Sequence, residues 1–220
     1  MARPPKDGKC IHCLKDPVKR NWDHVFPASW YPDTTKPNLF KWQVPSCIPC
    51  NSYLGKVEDE FRILVALCLD PKDPSSRSIV ESALRAMNPK LAKNAADRRA
   101  REALARRVSS QIVEGTDIPP HGIYPTLNEK WGRAPGEGVG VYIPANSFRI
   151  ITEKIVRGVF HIEEEKFIED PYKISFFALN DDGAAPAQQL LNQFGEIYAR
   201  EPGIVVKRAV VPEDGITSFF

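Results

Sequence analysis

CIPCNSYLGKVEDEF, residues 47–61, joins a pair of cysteines directly to a pattern that is typical of a helix. Apolar side chains recur at Leu54, Val57 and Phe61, and spacings of three and four residues place them on one face of an amphipathic helix. The helix is expected to start at Asn51, a residue type that also favours helix N-caps. The stretch therefore predicts a cysteine site at the beginning of a helix.

The sequence has five cysteines, and four of them form two C-x-x-C pairs, Cys10 with Cys13 and Cys47 with Cys50. Two such pairs supply four thiolates in the tetrahedral arrangement of a structural zinc ion, which leaves no open position for water. The gap of 33 residues between the pairs predicts a folded segment there. Zn²⁺ held by these four cysteines is the expected structural cofactor.

Two further residues near these pairs are expected to be structural. His12 lies inside the first pair, and with four cysteines available we predict an exposed imidazole rather than a competing ligand. Cys68 lies in the apolar run FRILVALCLD, residues 61–70, which predicts a buried thiol without chemistry.

Composition sets the broad class of the protein. The 220 residues are 42% hydrophobic, enough for a real core, and no apolar run reaches the length of a membrane span. The first ten residues, MARPPKDGKC, contain no apolar core of a secretory signal, so we expect a soluble, cytoplasmic protein without membrane contact.

Charge is distributed unevenly along the chain. The net charge is only +2, but residues 90–107 contain seven basic and two acidic residues. Such a segment is either a solvated helix or a surface that follows a nucleic-acid backbone, and the sequence leaves both readings open.

The segment between the cysteine pairs contains NWDHVFP, residues 21–27. This run predicts a strand that ends at Pro27, because proline cannot donate a hydrogen bond to a neighbouring strand. On a strand Asp23 and His24 point to opposite faces, unless a bulge or twist brings them together. The nearby aromatic residues are expected to form the small core, with base stacking as the alternative; they are Trp22, Trp30, Tyr31 and Trp42.

The order of these parts, over about residues 8–62, resembles the HNH endonucleases: a cysteine pair, a strand with Asp23-His24, a loop with Asn38, the second pair, and Asn51 at a helix. The resemblance implies a ββα-metal fold that is braced by a four-cysteine zinc site. It implies that His24 is the general base, that Asp23 and Asn51 hold a catalytic Mg²⁺ or Mn²⁺, and that Asn38 orients the histidine. The implied activity is hydrolysis of phosphodiester bonds, with DNA as the expected substrate and RNA as the alternative.

The predicted fold class is α+β, in three parts. Residues 1–69 form the HNH module, residues 70–115 form a helical and partly basic connector with a break at Pro89, and residues 116–220 form an α+β domain of unknown role. Proteins with HNH modules joined to further domains act in restriction and phage defence, so this architecture implies such a role by analogy.

The C-terminal part alternates strand-like and helix-like patterns. We predict a helix over residues 146–164 with Phe148 and Ile155 among the inward residues, a strand over 172–179, a helix over 185–201 and a strand over 203–211. The apolar end ITSFF, residues 216–220, either pairs within a sheet or continues into further chain. This part offers a surface for a protein partner or a second copy.

One alternative from another class remains open. The N-terminal module could be a non-catalytic zinc module that binds nucleic acid or protein, with Asp23 and Asn51 serving as turn and cap residues.

Overall fold

The computed structural model describes residues 3–69, 72–114, 139–176, 184–198, 206–211 and 218–220. Within these residues the protein is a mixture of helices and small antiparallel sheets, so the predicted α+β class is confirmed. The elements in chain order are β1 Arg20–His24, β2 Gln43–Cys47, α1 Ile48–Ala66, α2 Pro74–Met87, α3 Ala95–Ser109, β3 Ile112–Glu114, β4 Val139–Val141, α4 Ala145–Glu164, α5 Ala184–Phe194, β5 Glu196–Tyr198, β6 Val206–Val210 and β7 Ser218–Phe219.

The chain divides into two compact units, one made of Met1–Leu54 with Arg149–Phe220 and the other of Gly55–Phe148. The chain passes from one unit to the other within α1 and within α4, and the sequence predicted boundaries after residues 69 and 115.

Strands β1 and β2 form an antiparallel hairpin that leads directly into α1. The register pairs Asp23 with Val44 and His24 with Gln43. The pairing continues one residue further, where the Val25 N–H donates to the Trp42 carbonyl at 2.9 Å. The predicted strand around Asp23-His24 is therefore confirmed, and it stops before Pro27 as expected.

Helix α1 begins at Ile48, three residues earlier than the sequence suggested. Asn51 consequently lies inside the first turn and does not cap the helix. Cys47 is the last residue of β2, and Cys50 lies in the first turn of α1. The hairpin therefore passes into the helix without an intervening loop.

In the unit of residues 55–148, the stretch predicted to be a helical connector contains α2 and α3. Helices α2 and α3 are separated by a short 3₁₀ turn at Pro89–Leu91, because proline breaks the α-helical pattern. The Asn94 side chain accepts a hydrogen bond from the Asp97 N–H at 2.9 Å and caps α3. The core of this unit consists of Ile63, Leu64, Ala66, Ala83 and Val108.

Helix α4 follows the predicted bounds within one residue at its start. Ile151, Ile155 and Val159 are buried on one face, as the periodicity indicated. Phe148 is an exception: it is 42% exposed and makes an edge-on contact with Phe61. It lies in the first turn of the helix, before the stripe becomes fully covered.

Two C-terminal predictions were wrong in the described residues. Residues 172–176 form no strand, and residues 177–179 of that prediction lie outside the described residues. Helix α5 ends at Phe194, and Glu196–Tyr198 form β5 instead of continuing the helix. Gly195 marks the stop: its N–H donates to the Leu191 carbonyl at 3.0 Å, and a Cβ there would lie 2.3 Å from that oxygen.

The C-terminal strands form a three-stranded antiparallel sheet in the order β5-β6-β7. The predicted strand over 203–211 is confirmed at Val206–Val210, and residues 203–205 lie outside the described residues. The end of the chain at Ser218–Phe219 pairs with β6, which is one of the two outcomes predicted for ITSFF.

Candidate metal centre and adjoining polar cluster

The four paired cysteines come together where β2 passes into α1. Their sulfur atoms all lie within 4.8 Å of one another. Cys10 and Cys47 are buried, whereas Cys13 is exposed and Cys50 is partly exposed. Four sulfur ligands at this separation suit a tetrahedral site, so the cluster could hold a zinc ion, as predicted.

Backbone N–H groups support the sulfur atoms of this cluster. The Cys47 N–H donates to the Cys10 sulfur at 3.2 Å, and the Cys50 N–H donates to the Cys47 sulfur at 3.5 Å. Burial alone would raise the pKa of Cys10, but hydrogen bonds from the backbone of Cys13, Cys47 and His12 lower it to about 7. Burial raises the pKa of Cys47 and of Cys50. Metal binding at this cluster would therefore release protons from thiols.

Cys68 lies apart from the cluster. Its thiol donates to the Leu64 carbonyl one helical turn earlier, at 3.7 Å, and burial raises its pKa. Cys68 is half-buried rather than fully buried as predicted, and its role without chemistry stays a prediction.

Asp23 is the centre of a buried polar cluster. Its side chain is only 5% exposed, and each carboxylate oxygen has a cationic or N–H partner at 2.9 Å. One oxygen accepts from the His12 ring nitrogen Nε2, and the other accepts from the ammonium of Lys154 on α4. Burial would raise the pKa of Asp23, but the hydrogen bond from His12 and the charge of Lys154 lower it below the ordinary value. Asp23 is therefore held as a carboxylate inside the fold.

His12 corrects one prediction made from the sequence. Its side chain is 9% exposed and hydrogen-bonds to Asp23, so it is not the exposed imidazole that we expected. Because His12 lies between Cys10 and Cys13, its ring links the cysteine cluster to β1.

His24 points away from this buried cluster, as strand alternation predicted. Its ring nitrogen Nε2 lies 2.9 Å from the side-chain amide of Gln43, the residue opposite it in the hairpin. Burial lowers the pKa of His24; the charges of Lys154 and Lys41 act in the same direction, and the charge of Asp23 opposes them. The imidazole is therefore neutral at pH 7 and able to accept a proton.

The contact with Gln43 also bears on which nitrogen of His24 is available. The contacting atom is the amide nitrogen of Gln43, which can only donate, so His24 Nε2 accepts the hydrogen bond and the proton of the neutral ring lies on Nδ1. Among the described residues Nδ1 has no hydrogen-bond partner. Gln43 thus orients the ring through Nε2, and the nitrogen without a protein partner carries the proton.

Asn51 connects the first turn of α1 to β1. Its amide nitrogen donates to the Asn21 side-chain oxygen at 2.9 Å and to the Trp22 carbonyl at 3.3 Å. The structure therefore brings Asn51 to the strand that carries Asp23 and His24, but against the two residues that precede them. The side-chain hydrogen bonds thus pair Asn51 with Asn21, His24 with Gln43, and Asp23 with both His12 and Lys154.

The predicted role of Asn38 is not matched by its contacts. Asn38 is exposed in a turn of the long hairpin loop, and among the described residues it makes no hydrogen bond to His24. Gln43 is the side chain that contacts the histidine ring. The role of Asn38 as an orienting residue stays a prediction.

Sequence reasoning missed Gln43 and Lys154. Gln43 had no motif, but a residue opposite His24 could have been found once the hairpin register was known. Lys154 is 131 residues away from Asp23 in sequence. Its signal was its position: it lies between Ile151 and Ile155 on the apolar face of α4, where a lysine needs a buried partner.

The aromatic residues near the hairpin divide into two groups. Trp30 and Trp42 are buried, as the core reading predicted. Trp22 is 38% exposed on β1, and Tyr31 is half-buried. The prediction that these side chains form the core is therefore confirmed for Trp30 and Trp42 and wrong for Trp22.

The basic segment forms α3 and the turn before it. Three of its arginines pair with acidic residues, Arg98 with Glu102, Arg101 with Asp97 and Arg107 with Glu60. Lys93, Arg99 and Arg106 are exposed on the same segment. About half of the positive charge is thus already balanced within the protein, which weakens this surface as a binding site for a polyanion.

Comparison of the chain with protein-family models, with curated proteins and with solved structures finds no match in any of the three. Among the described residues no helix is long and apolar enough to cross a membrane.

Proposed function

We propose that the protein is an HNH-type endonuclease that hydrolyses phosphodiester bonds, with DNA as the preferred substrate. One observation carries the proposal: a hairpin and a helix are joined at a four-cysteine cluster, and the same hairpin strand carries His24 and accepts the hydrogen bonds of Asn51. A role in restriction or phage defence is part of this proposal and rests on the analogy of architecture alone.

His24 is the proposed general base. A neutral imidazole can take a proton from water at Nε2, its unprotonated nitrogen, when water takes the place of the Gln43 amide there. The water oxygen then attacks phosphorus, the bond between phosphorus and the leaving 3′-oxygen breaks, and that oxygen receives a proton from solvent. Before that exchange, Gln43 fixes the ring orientation.

The cysteine cluster would hold zinc for a structural purpose. Four thiolates complete the coordination of the ion, so zinc would brace the start of α1 against the residues before β1 and supply no reacting water.

A catalytic Mg²⁺ or Mn²⁺ does not fit Asp23 in its present arrangement. Both oxygens of Asp23 are occupied, one by His12 and the other by Lys154. We assign no step of the reaction to a cation, and the dependence on a divalent metal stays a prediction.

The test is cleavage of plasmid DNA by zinc-loaded protein with millimolar Mg²⁺, with millimolar Mn²⁺ and with EDTA. His24→Ala should abolish cleavage while zinc content and circular dichroism stay unchanged. His161→Ala is the matched control, because His161 contacts the Lys166 carbonyl on another part of the chain and should leave cleavage intact. Undiminished cutting by His24→Ala would refute the assignment, and a parallel RNA substrate decides between the two nucleic acids.

The burial and full pairing of the Asp23 carboxylate favour a second candidate function. A carboxylate that is fully paired inside the fold suits a non-catalytic zinc module that binds nucleic acid or protein. This alternative predicts salt-dependent binding of DNA by wild-type protein without cleavage under any metal condition.

A further inference from the structure

The solvent-facing side of the β1–β2 hairpin carries an aromatic ring close to the proposed base. Asp23 is buried on one face of β1. Because side chains alternate along a strand, Trp22 and His24 lie on the opposite face, about 7 Å apart along the strand. Trp22 is 38% exposed, although tryptophan side chains are well buried on average. We call this side the hairpin face; with the cross-strand partners, its members are Trp22, His24, Gln43 and Pro45.

The ring of Trp22 is held in place by the protein itself. Its indole N–H donates to the Arg3 carbonyl at 2.8 Å, so the polar edge of the ring has its partner. More than half of the side chain is covered, so the ring forms part of the surface and does not project from it as a wedge. A ring that is already fixed loses little conformational freedom when a second flat ring stacks on it. The hairpin face therefore offers a stacking platform.

Positive charge is in excess in this part of the chain. Residues 3–54 contain eight basic and four acidic residues, and one of the four, Asp23, is buried and already paired. Lys41 is close enough to His24 for its charge to act on the ring: burial lowers the pKa of His24, and the charge of Lys41 acts in the same direction. The Lys41 ammonium lies over the Tyr31 ring, 4.6 Å from its centre, and no carboxylate pairs with it among the described residues. The charge of Lys41 is therefore available for a phosphate.

These features together select the class of ligand. Nucleic-acid strands combine a chain of phosphates with flat bases, so they match an aromatic ring with an ammonium nearby. In a duplex the base faces are stacked on one another, and only the base edges are accessible in the grooves. A base can therefore stack on Trp22 only where it has left the duplex, as every base has in a single strand. The ring of Trp22 and the charge of Lys41 thus fit a single strand.

We propose that the hairpin face binds single-stranded nucleic acid, with an unpaired base stacked on Trp22 and the adjoining phosphate bound by Lys41 next to His24. The inference deepens the proposed function, because it rests on nucleic acid being the substrate of this site. It adds that the strand is unpaired where it is cut. A duplex presents only its backbone and its groove edges to the hairpin face, so it binds there through charge and without the stacking contribution.

The test is binding of zinc-loaded, full-length protein to a fluorescein-labelled DNA strand of about 15 nucleotides, measured by fluorescence anisotropy without Mg²⁺ or Mn²⁺. The same strand annealed to its complement is the duplex probe. Wild type should bind the single strand at least about tenfold more tightly than the duplex. Trp22→Ala should weaken binding of the single strand by at least about fivefold, because one stacked base is lost, and should leave binding of the duplex unchanged.

Further variants separate stacking and charge from a loss of structure. Trp22→Phe keeps a ring and should restore most of the affinity, whereas Phe194→Ala removes an exposed ring from α5 and should change nothing. Lys41→Gln should reduce the magnitude of the salt-dependence slope for the single strand by about 0.7, the value for one lost phosphate contact. Lys173→Gln, the same change at another exposed lysine, should leave that slope unchanged. Zinc content and circular dichroism establish the folding of each variant.

Equal binding of the single strand and the duplex would overturn the inference, and so would undiminished affinity in Trp22→Ala or an unchanged salt slope in Lys41→Gln. Absence of binding to both probes would also overturn it and would favour a protein partner for the ring. The binding assay includes no cleavage step, so its result is separate from the nuclease activity. Binding that depends on Trp22 without cleavage keeps the inference and removes the nuclease, whereas cleavage with binding that is independent of Trp22 does the reverse.

Discussion

Breaking the pair of Asp23 and Lys154 from one side should destabilise the protein strongly. In Asp23→Leu the ammonium of Lys154 would stay buried without its carboxylate, and His12 would lose its acceptor. Removing one partner of a buried ion pair costs about 3–5 kcal/mol, because the remaining charge is left without water and without a counter-charge. The near-complete burial of both side chains places this pair in that range.

The double variant Asp23→Leu with Lys154→Met should recover most of that loss. Replacing both members of a buried pair by apolar side chains of similar size is often neutral or stabilising, because the desolvation cost of both charges disappears. We expect the double variant to lie within about 1.5 kcal/mol of wild type. His12 limits the recovery, since its ring still lacks the acceptor that Asp23 supplied.

The assay is urea-induced unfolding of zinc-loaded protein, followed by tryptophan fluorescence and by far-ultraviolet circular dichroism. Both probes must give the same transition before the free energies are compared, because two compact units can unfold separately. The measurement is repeated at high salt, where a buried pair keeps its contribution and an exposed pair loses it. A cost below about 1 kcal/mol for Asp23→Leu, or a cost that vanishes in salt, would refute the buried pair.

Three further predictions concern the cysteine cluster, the helix approach and the candidate base. Cys13→Ser should lower bound zinc well below one equivalent per chain by elemental analysis, whereas Cys68→Ser should leave it unchanged; equal zinc in both would refute the site. Gly158→Ala should destabilise the protein by about 1–3 kcal/mol through overpacking, whereas Gly55→Ala, with open space at its Cβ, should stabilise it by about 0.5–1 kcal/mol in the same urea assay. The His24 ring should titrate by NMR with a pKa below its ordinary value of about 6.5, and a raised pKa would refute the burial argument. Because the folded pKa is lowered, the contribution of His24 to stability is fully present above about pH 6.5 and is lost as the pH falls through the folded pKa.

The hairpin, the first helix and the cysteine cluster were predictable because their signals are local. A C-x-x-C pair brings two sulfur atoms together within one turn of the chain. Apolar residues at spacings of three and four indicate a helix directly. Asn51 illustrates the limit of such signals. The sequence placed it at the start of a helix, but only the structure gives its partners, the Asn21 side chain and the Trp22 carbonyl.

The C-terminal errors have a related cause. Residues 172–176 have a strand-like composition and yet form no strand, because a strand exists only where a partner strand supplies its hydrogen bonds. The helix predicted over residues 185–201 ends at Phe194, and after Gly195 the chain forms β5, which pairs with β6. In both places the tertiary arrangement overrode the local preference.

The sequence by itself determined the four-cysteine site, the strand that carries Asp23 and His24, and the helical faces, because each depends on neighbours within a few residues. Only the tertiary structure decided what Asp23 and His24 contact. The hairpin register brought Gln43 to His24, and the close approach of α4 at Gly158 brought Lys154 to Asp23 across 131 residues. A lysine on an apolar helix face predicts a buried counter-charge, but only the tertiary packing determines which carboxylate is the partner.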